Sequence, residues 1–239
     1  MTADDCPHPS GCPVPSPPGP ATASRLRTTT WERSFFRVYD TTFGFDEFNP
    51  GLGDTRFAPV DTAGGVVPHL YGGACDVVVL LDTIFHDVHH GMADRTVWLR
   101  DLVERGIVEL TAPRPLRLID LRDPQLDQLE LRRDQLVSTH AEHYPCTRQW
   151  ATWLHGTRPD DVNPDGIVWH SRQAELADAR VTLDVDDSEL FVLFGDHADF
   201  GRGGFTRQFP GVQPLAAGSG RLRVDEIAEA FDALVDPST

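Results

Sequence analysis

The chain has 239 residues and a net charge of −16, with 40% apolar and 24% charged residues, which fits one large or two small globular domains and excludes wholesale disorder. That acidity disfavours nucleic acid and anionic membrane surfaces, since both are bound through clustered cations. No lysine occurs, so all 21 cations are arginine. A P-loop and a Schiff-base amine are excluded, and an anionic ligand has to be held by arginine, histidine or backbone N–H groups.

Cys6, Cys12, Cys75 and Cys146 are too sparse for a disulfide scaffold. The N-terminus, MTADDCPHPSGCPVP, has neither the basic nor the apolar region of a signal peptide. The longest apolar run, DVVVLLDTIFHDV, is broken by Asp82 and is too short to span a bilayer. A soluble cytoplasmic protein is expected.

Residues 1–20 contain seven prolines, which oppose helix and ladder alike, and 1–30 are predicted to be a disordered tail ahead of a single domain over 31–236. Cys6, His8 and Cys12 hint at a metal knuckle. No second ligand pair stands beside them in sequence, so they are read as incidental to the tail. SFFRVYD (34–40) predicts a strand, followed by a long Gly- and Pro-rich loop and a short strand at VVPHLYGG. ACDVVVLLDTIFHDVHH (74–90) predicts a helix with Asp82, His86 and His90 on one edge. TVWLRDLVERGI is read as an amphipathic helix or turn and PLRLIDL as a strand. TRQWATWLHG is read as a helix capped by Gly156, GIVWHS and ELFVLFGD as strands, and DEIAEAFDALV as a closing helix. Strands and helices mix without regular alternation, which predicts an α+β fold.

Several residues carry possible chemistry. Arg37 interrupts an apolar strand, a costly place for a cation without an anionic partner or ligand. Arg56 follows the NPGLGD loop, Asp82 interrupts an apolar helix and Ser171 ends a strand. Each alone also fits a salt bridge or a cap. Asp82, His86 and His90, joined by His140 or His143, also have a spacing that suits a divalent metal.

The order of these pieces resembles the RES-domain family. FFRVYD matches its aromatic-Arg strand, NPGLGDTRFAP its loop to a second arginine, LYGG its tyrosine strand, and LLDTIFHDV its acidic helix. IDLRD, YPCTRQWA, DGIVWHSRQ and FVLFGD follow in the family's order, so the resemblance spans roughly 31–200. It places the family arginine on Arg37, the second arginine on Arg56, the tyrosine on Tyr71 and the serine on Ser171. The acidic position falls on Asp82, where the family usually carries glutamate, one methylene longer.

The resemblance implies an ADP-ribosyltransferase-like α+β fold, a split mixed sheet with flanking helices in a single domain. It also implies a toxin that cleaves NAD at the nicotinamide–ribose bond by phosphorolysis or hydrolysis. NAD would be a substrate rather than a cofactor, no metal is expected, and the partner would be an antitoxin covering the cleft. Arg37, Asp82 and Ser171 would be catalytic, and Arg56 and Tyr71 would bind substrate. The alternatives are a protein ADP-ribosyltransferase on the same fold, a metal-dependent hydrolase on Asp82, His86 and His90, and a non-catalytic NAD-binding module.

Overall fold

A computed structural model describes residues 6, 10–88, 95–177, 181, 183–198, 200–201 and 203–237. In chain order the elements begin with β1 (Thr28–Trp31), β2 (Phe35–Asp40), β3 (Val60–Thr62), β4 (Gly65–Val67), β5 (His69–Gly73) and α1 (Asp76–Thr83). Next come β6 (Thr96–Trp98), β7 (Arg105–Thr111), β8 (Leu116–Asp120), α2 (Asp123–Gln128), α3 (Tyr144–His155) and β9 (Gly166–His170). The chain closes with α4 (Arg172–Leu176), β10 (Glu189–Phe194), β11 (Thr206–Arg207), β12 (Gln213–Pro214), α5 (Gly218–Ala230) and β13 (Leu234–Asp236).

One nine-stranded sheet runs β1-β8-β9-β10-β5-β2-β7-β11, with β12 also on β7. β8 and β9 pair in parallel and its other pairs are antiparallel, so the sheet is mixed. The helices flank it, which is the expected α+β architecture in a single domain.

The centre of the sheet is buried on both faces, while edge strands such as β11 are exposed. Every residue of β10 is buried. Leu190, Val192 and Phe194 enter one apolar cluster with α1, α3 and α5, while Phe191 and Leu193 enter a second with Trp31, Phe35 and Val108. This is the two-residue alternation of a strand with apolar neighbours on either side. β5 has no room for side chains where it meets those clusters. A Cβ on Gly72 would lie 2.6 Å from the Phe191 ring and 2.7 Å from Phe35.

The sheet splits between β2 and β5. Their register holds only Phe36 opposite Gly73, after which the strands part. Beyond the split, His69 bridges to Asn49 of the long loop instead of to β2.

Four sequence expectations need correction. Residues 10–30 are packed rather than a tail: Thr28–Trp31 pairs with β8, and Val14 and Leu26 are buried in the core. Trp150 Nε1 donates to the Pro15 carbonyl at 2.6 Å. Proline blocks helix and ladder but not extended packing, and Val14 and Leu26 supply the apolar anchors that the proline count hid. His8 lies outside the described residues.

The second correction concerns α1, which covers only 76–83 of the expected 74–90. The Thr83 hydroxyl turns back to the Val79 carbonyl at 2.6 Å, and the Leu80 carbonyl accepts from both Ile84 and Phe85, which ends the regular ladder. Third, TVWLRDLVERGI is β6, one 3₁₀ turn and the start of β7, because Ile107 and Val108 pair with β2. Last, the closing helix begins at Gly218 and ends at Ala230, after which β13 pairs in parallel with β6.

Candidate functional site

α1 carries the site's carboxylate, and its own sequence does not favour a helix. Val77, Val78 and Val79 are β-branched, so burial of Val77–Leu81 against the sheet must override propensity. Asp76 sits in the first turn, where a negative charge suits the helix dipole, and Arg223 of α5 grips it at 2.8 Å and 3.2 Å. That fixes the register of α1 and brings Asp82, its penultimate residue, to the wall of a cleft of about 1140 Å³.

Arg37, Arg56, Tyr71 and Asp82 all line this cleft, together with His69, His86, Tyr144 and Trp169. Ser171 does not. Its side chain is fully buried behind Asp82, and its Oγ lies 3.3 Å from Asp82 Oδ1. The same oxygen caps α4 by accepting from the Gln173 and Ala174 N–H groups at 3.1 Å and 3.3 Å. Two accepted bonds direct the serine proton to the carboxylate. Gln173 Nε2 then donates to the His86 carbonyl at 2.5 Å, so the start of α4 holds both ends of the turn after α1. Burial raises the Asp82 pKa above its ordinary value, while His86, Arg56 and the Ser171 hydrogen bond oppose that rise.

Arg56 is buried and no carboxylate lies at salt-bridge distance among the described residues. Its Nη1 donates to the Thr139 hydroxyl at 2.6 Å and to the Thr139 carbonyl at 3.0 Å, and its guanidinium stacks 5.1 Å from the centre of the Tyr144 ring. Thr147 donates its hydroxyl to the Arg56 carbonyl, so α3 holds both ends of the residue. Burial lowers the Arg56 pKa, and Tyr144 and Asp82 counter it.

Arg37 leaves β2 on the face that carries Phe35 and Tyr39, whereas Tyr71 packs with the cluster on the opposite face. The cleft therefore passes through the split and draws on both faces. Arg37 donates to the Phe45 and Glu47 carbonyls at 2.6 Å and 2.7 Å, which pins the loop after β2. It too lacks a carboxylate at salt-bridge distance among the described residues, and desolvation lowers its pKa to about 10. Tyr71 holds its hydroxyl 2.8 Å from Thr55 Oγ1 and accepts from the Phe57 N–H at 3.2 Å, so it props the Arg56 loop. Burial raises its pKa, and it lies edge-on to Trp169 at 6.1 Å.

Sequence reasoning missed three cleft residues, Trp169 and two polar ones. His69 is 3% exposed, its Nδ1 has no hydrogen-bond partner among the described residues, and burial followed by Arg37 lowers its pKa to about 4. Tyr144 joins Arg56 to His86, whose Nε2 lies 3.1 Å from the Tyr144 hydroxyl. Both lie inside quoted motifs, HLYGG and YPCTRQWA, but a lone polar residue beside an apolar run carries no signal of its own.

Among the described residues, the metal-hydrolase ligands do not assemble. Among the described residues, groups of metal-ligand type form at Cys6, Cys12, His143 and Cys146 and at His155, Asp196 and His197, and neither includes Asp82 or His86. His143 points to the cysteines, and His90 lies outside the described residues. No helix among the described residues is long and apolar enough to cross a membrane.

No curated protein matches the chain. A chain of the M. tuberculosis MbcT-MbcA toxin-antitoxin complex has a similar fold, with a TM-score of 0.53 and 13% identity, covering 85% of this chain and 93% of that one. The sequence model of the RES domain matches residues 25–203, three quarters of the chain and every cleft residue named above. Its match starts just ahead of β1 and runs past β10, and the chain belongs to the RES-domain family.

Proposed function

We propose that this protein cleaves NAD at the nicotinamide–ribose bond and acts as the toxin of a toxin–antitoxin pair. The observation that carries this reading is the Asp82 carboxylate at the cleft wall, backed by the Ser171 hydroxyl and accompanied by the buried Arg56.

Breaking the bond develops positive charge on the ribose, as in glycoside cleavage. The pyridinium leaves as neutral nicotinamide with the bonding electron pair, so the departure needs no general acid. A carboxylate that takes a ribose hydroxyl as donor and faces the forming cation lowers the barrier. Asp82 has that role. Ser171, behind it, is a positioning residue rather than a substrate contact. Arg37 and Arg56 are buried cations with no carboxylate at salt-bridge distance among the described residues, and the pyrophosphate supplies a negative partner through bidentate contacts. Tyr71 and Trp169 wall the apolar side. The acceptor oxygen bonds to the anomeric carbon and loses its proton, giving ADP-ribose from water or its 1″-phosphate from phosphate. NAD serves as substrate, and no separate cofactor enters the chemistry.

The cleft opens on a surface that an antitoxin would cover, and the structure of similar fold comes from a toxin–antitoxin complex. The test is incubation of the purified chain with NAD, with and without phosphate, and mass identification of products. Free nicotinamide with ADP-ribose or its phosphate is expected. NAD left intact under both conditions overturns the reading. Transfer of ADP-ribose to protein, without free ADP-ribose, replaces it with the transferase alternative.

A further inference from the structure

Cys6, Cys12, His143 and Cys146 take no part in lining the cleft, yet they converge on one another. Cys12 Sγ lies 3.6 Å from Cys146 Sγ and 3.5 Å from His143 Nδ1. Cys6 Sγ lies 3.9 Å from the same nitrogen, and all four ligand atoms fall within 4.8 Å of one another. A tetrahedral zinc with sulfur at about 2.3 Å and nitrogen at about 2.0–2.1 Å requires S–S edges of about 3.8 Å and S–N edges of about 3.6 Å. The three closest separations, 3.5 Å, 3.6 Å and 3.9 Å, lie within about 0.3 Å of those edges.

We propose that Cys6, Cys12, His143 and Cys146 form a structural zinc site that fastens the N-terminal segment to the start of α3. Three thiolates and one imidazole are a soft donor set that selects zinc over magnesium or calcium. The set is closed, because Cys6 and His143 are buried and all four tetrahedral positions are filled by protein. His143 presents Nδ1 to the sulfurs, while its Nε2 lies 3.5 Å from the Glu142 carboxylate, the outer partner that fixes the tautomer of a ligating histidine. The ligands come as two local pairs, Cys-x5-Cys before β1 and His-x2-Cys at the start of α3, which only the fold brings together. On binding, the three thiols release their protons to solvent and the imidazole coordinates in its neutral form. The complex carries one net negative charge and nothing is oxidised or reduced.

The site also bears on the cleft. His143 and Cys146 directly precede Tyr144 and Thr147, the two residues that hold the Arg56 guanidinium and carbonyl. A metal that fixes the first turn of α3 therefore positions Arg56.

The test uses the full chain, expressed with zinc and purified under reducing conditions without chelator. Elemental analysis should find about one zinc per chain. Cys12→Ser and Cys146→Ser should each hold about a tenth of that or less, whereas Cys75→Ser, outside the cluster, should keep it. Cobalt exchanged into the unsubstituted chain should show thiolate-to-metal charge transfer and a tetrahedral visible spectrum, a readout that does not depend on any variant folding. An unsubstituted chain that retains neither zinc nor cobalt overturns the proposal. So does a Cys12–Cys146 disulfide in peptide maps of the reduced preparation.

Discussion

Ser171 and Asp82 form a directed pair. The serine hydroxyl sits 3.3 Å from the carboxylate and accepts two backbone N–H groups of α4 at the same time. A side chain so occupied orients the carboxylate and stays out of the cleft. Ser171→Ala should therefore lower the rate of NAD cleavage about tenfold or more while leaving the KM for NAD little changed. It also removes the α4 cap, at a cost of about 1 kcal/mol. Ser171→Thr keeps the hydroxyl and should retain more activity than alanine. Steady-state kinetics on both variants check this; a rise in KM without loss of kcat would place the serine on the substrate instead.

Arg56 makes three kinds of contact: with Thr139, with the Tyr144 ring and, through its carbonyl, with Thr147. Only the guanidinium fork serves both the protein and a pyrophosphate. Arg56→Lys keeps the charge but loses the fork and the stacking plane, so the KM for NAD should rise about tenfold or more. Tyr144→Phe keeps the ring beneath Arg56 and loses only the contact with His86, so its effect on KM should be much smaller. Equal effects from the two variants would show that Arg56 binds through charge alone.

His69 gives a pH signature of stability. Its folded pKa, about 4, is depressed below the ordinary imidazole value of 6.5 by burial and by Arg37. A buried neutral imidazole contributes stability that is fully present above the unfolded pKa and is lost as pH falls through the folded one. The unfolding free energy from urea melts should therefore decline between about pH 6.5 and pH 4, by up to roughly 3 kcal/mol for this residue. His69→Gln should flatten that part of the profile. An unchanged slope would show that His69 is not what titrates there.

Leu26 tests the packed N-terminal segment. It is 4% exposed and lies in the larger core cluster. Leu26→Ala should cost about 2–4 kcal/mol and lower Tm by about 5–12 °C, measured by calorimetry. A dispensable tail would show no shift.

The fold class, the strand at 34–40 and the central strands were legible because their alternation and β-branched content agree with their burial. Arg37, Arg56 and Asp82 were legible as charged residues set in or beside apolar or glycine-rich runs, and Tyr71 only through the family resemblance; all four line the cleft. Ser171 was legible as important but not as buried, since a cap and a catalytic hydroxyl look alike in sequence. The end of α1 was illegible, because 74–90 keeps a helical pattern through residues that turn away after Thr83. The cysteine cluster was also illegible, since its second ligand pair lies more than a hundred residues from the first.

Asp82 separates the remaining readings. Burial raises its pKa, and His86, Arg56 and Ser171 pull the other way. If the ionised carboxylate stabilises the ribosyl cation, kcat should rise with pH along an acid limb displaced above the ordinary carboxylate range. Asp82→Asn should bind NAD but cleave it on the order of 100-fold more slowly, without that limb. Asp82→Glu restores the side chain usual in the family and reaches one methylene further into the cleft, so it should retain or raise activity. The stability effect has the opposite sign. A group whose folded pKa is raised by burial favours folding most below its unfolded pKa, and that contribution is lost as pH rises through the folded value. Asp82→Asn should therefore be at least as stable as the parent at neutral pH, so its loss of turnover would not reflect unfolding. Single-turnover cleavage and urea melts of the same preparation decide the matter. An Asp82→Asn protein that cleaves NAD at the parent rate would remove this carboxylate from the mechanism.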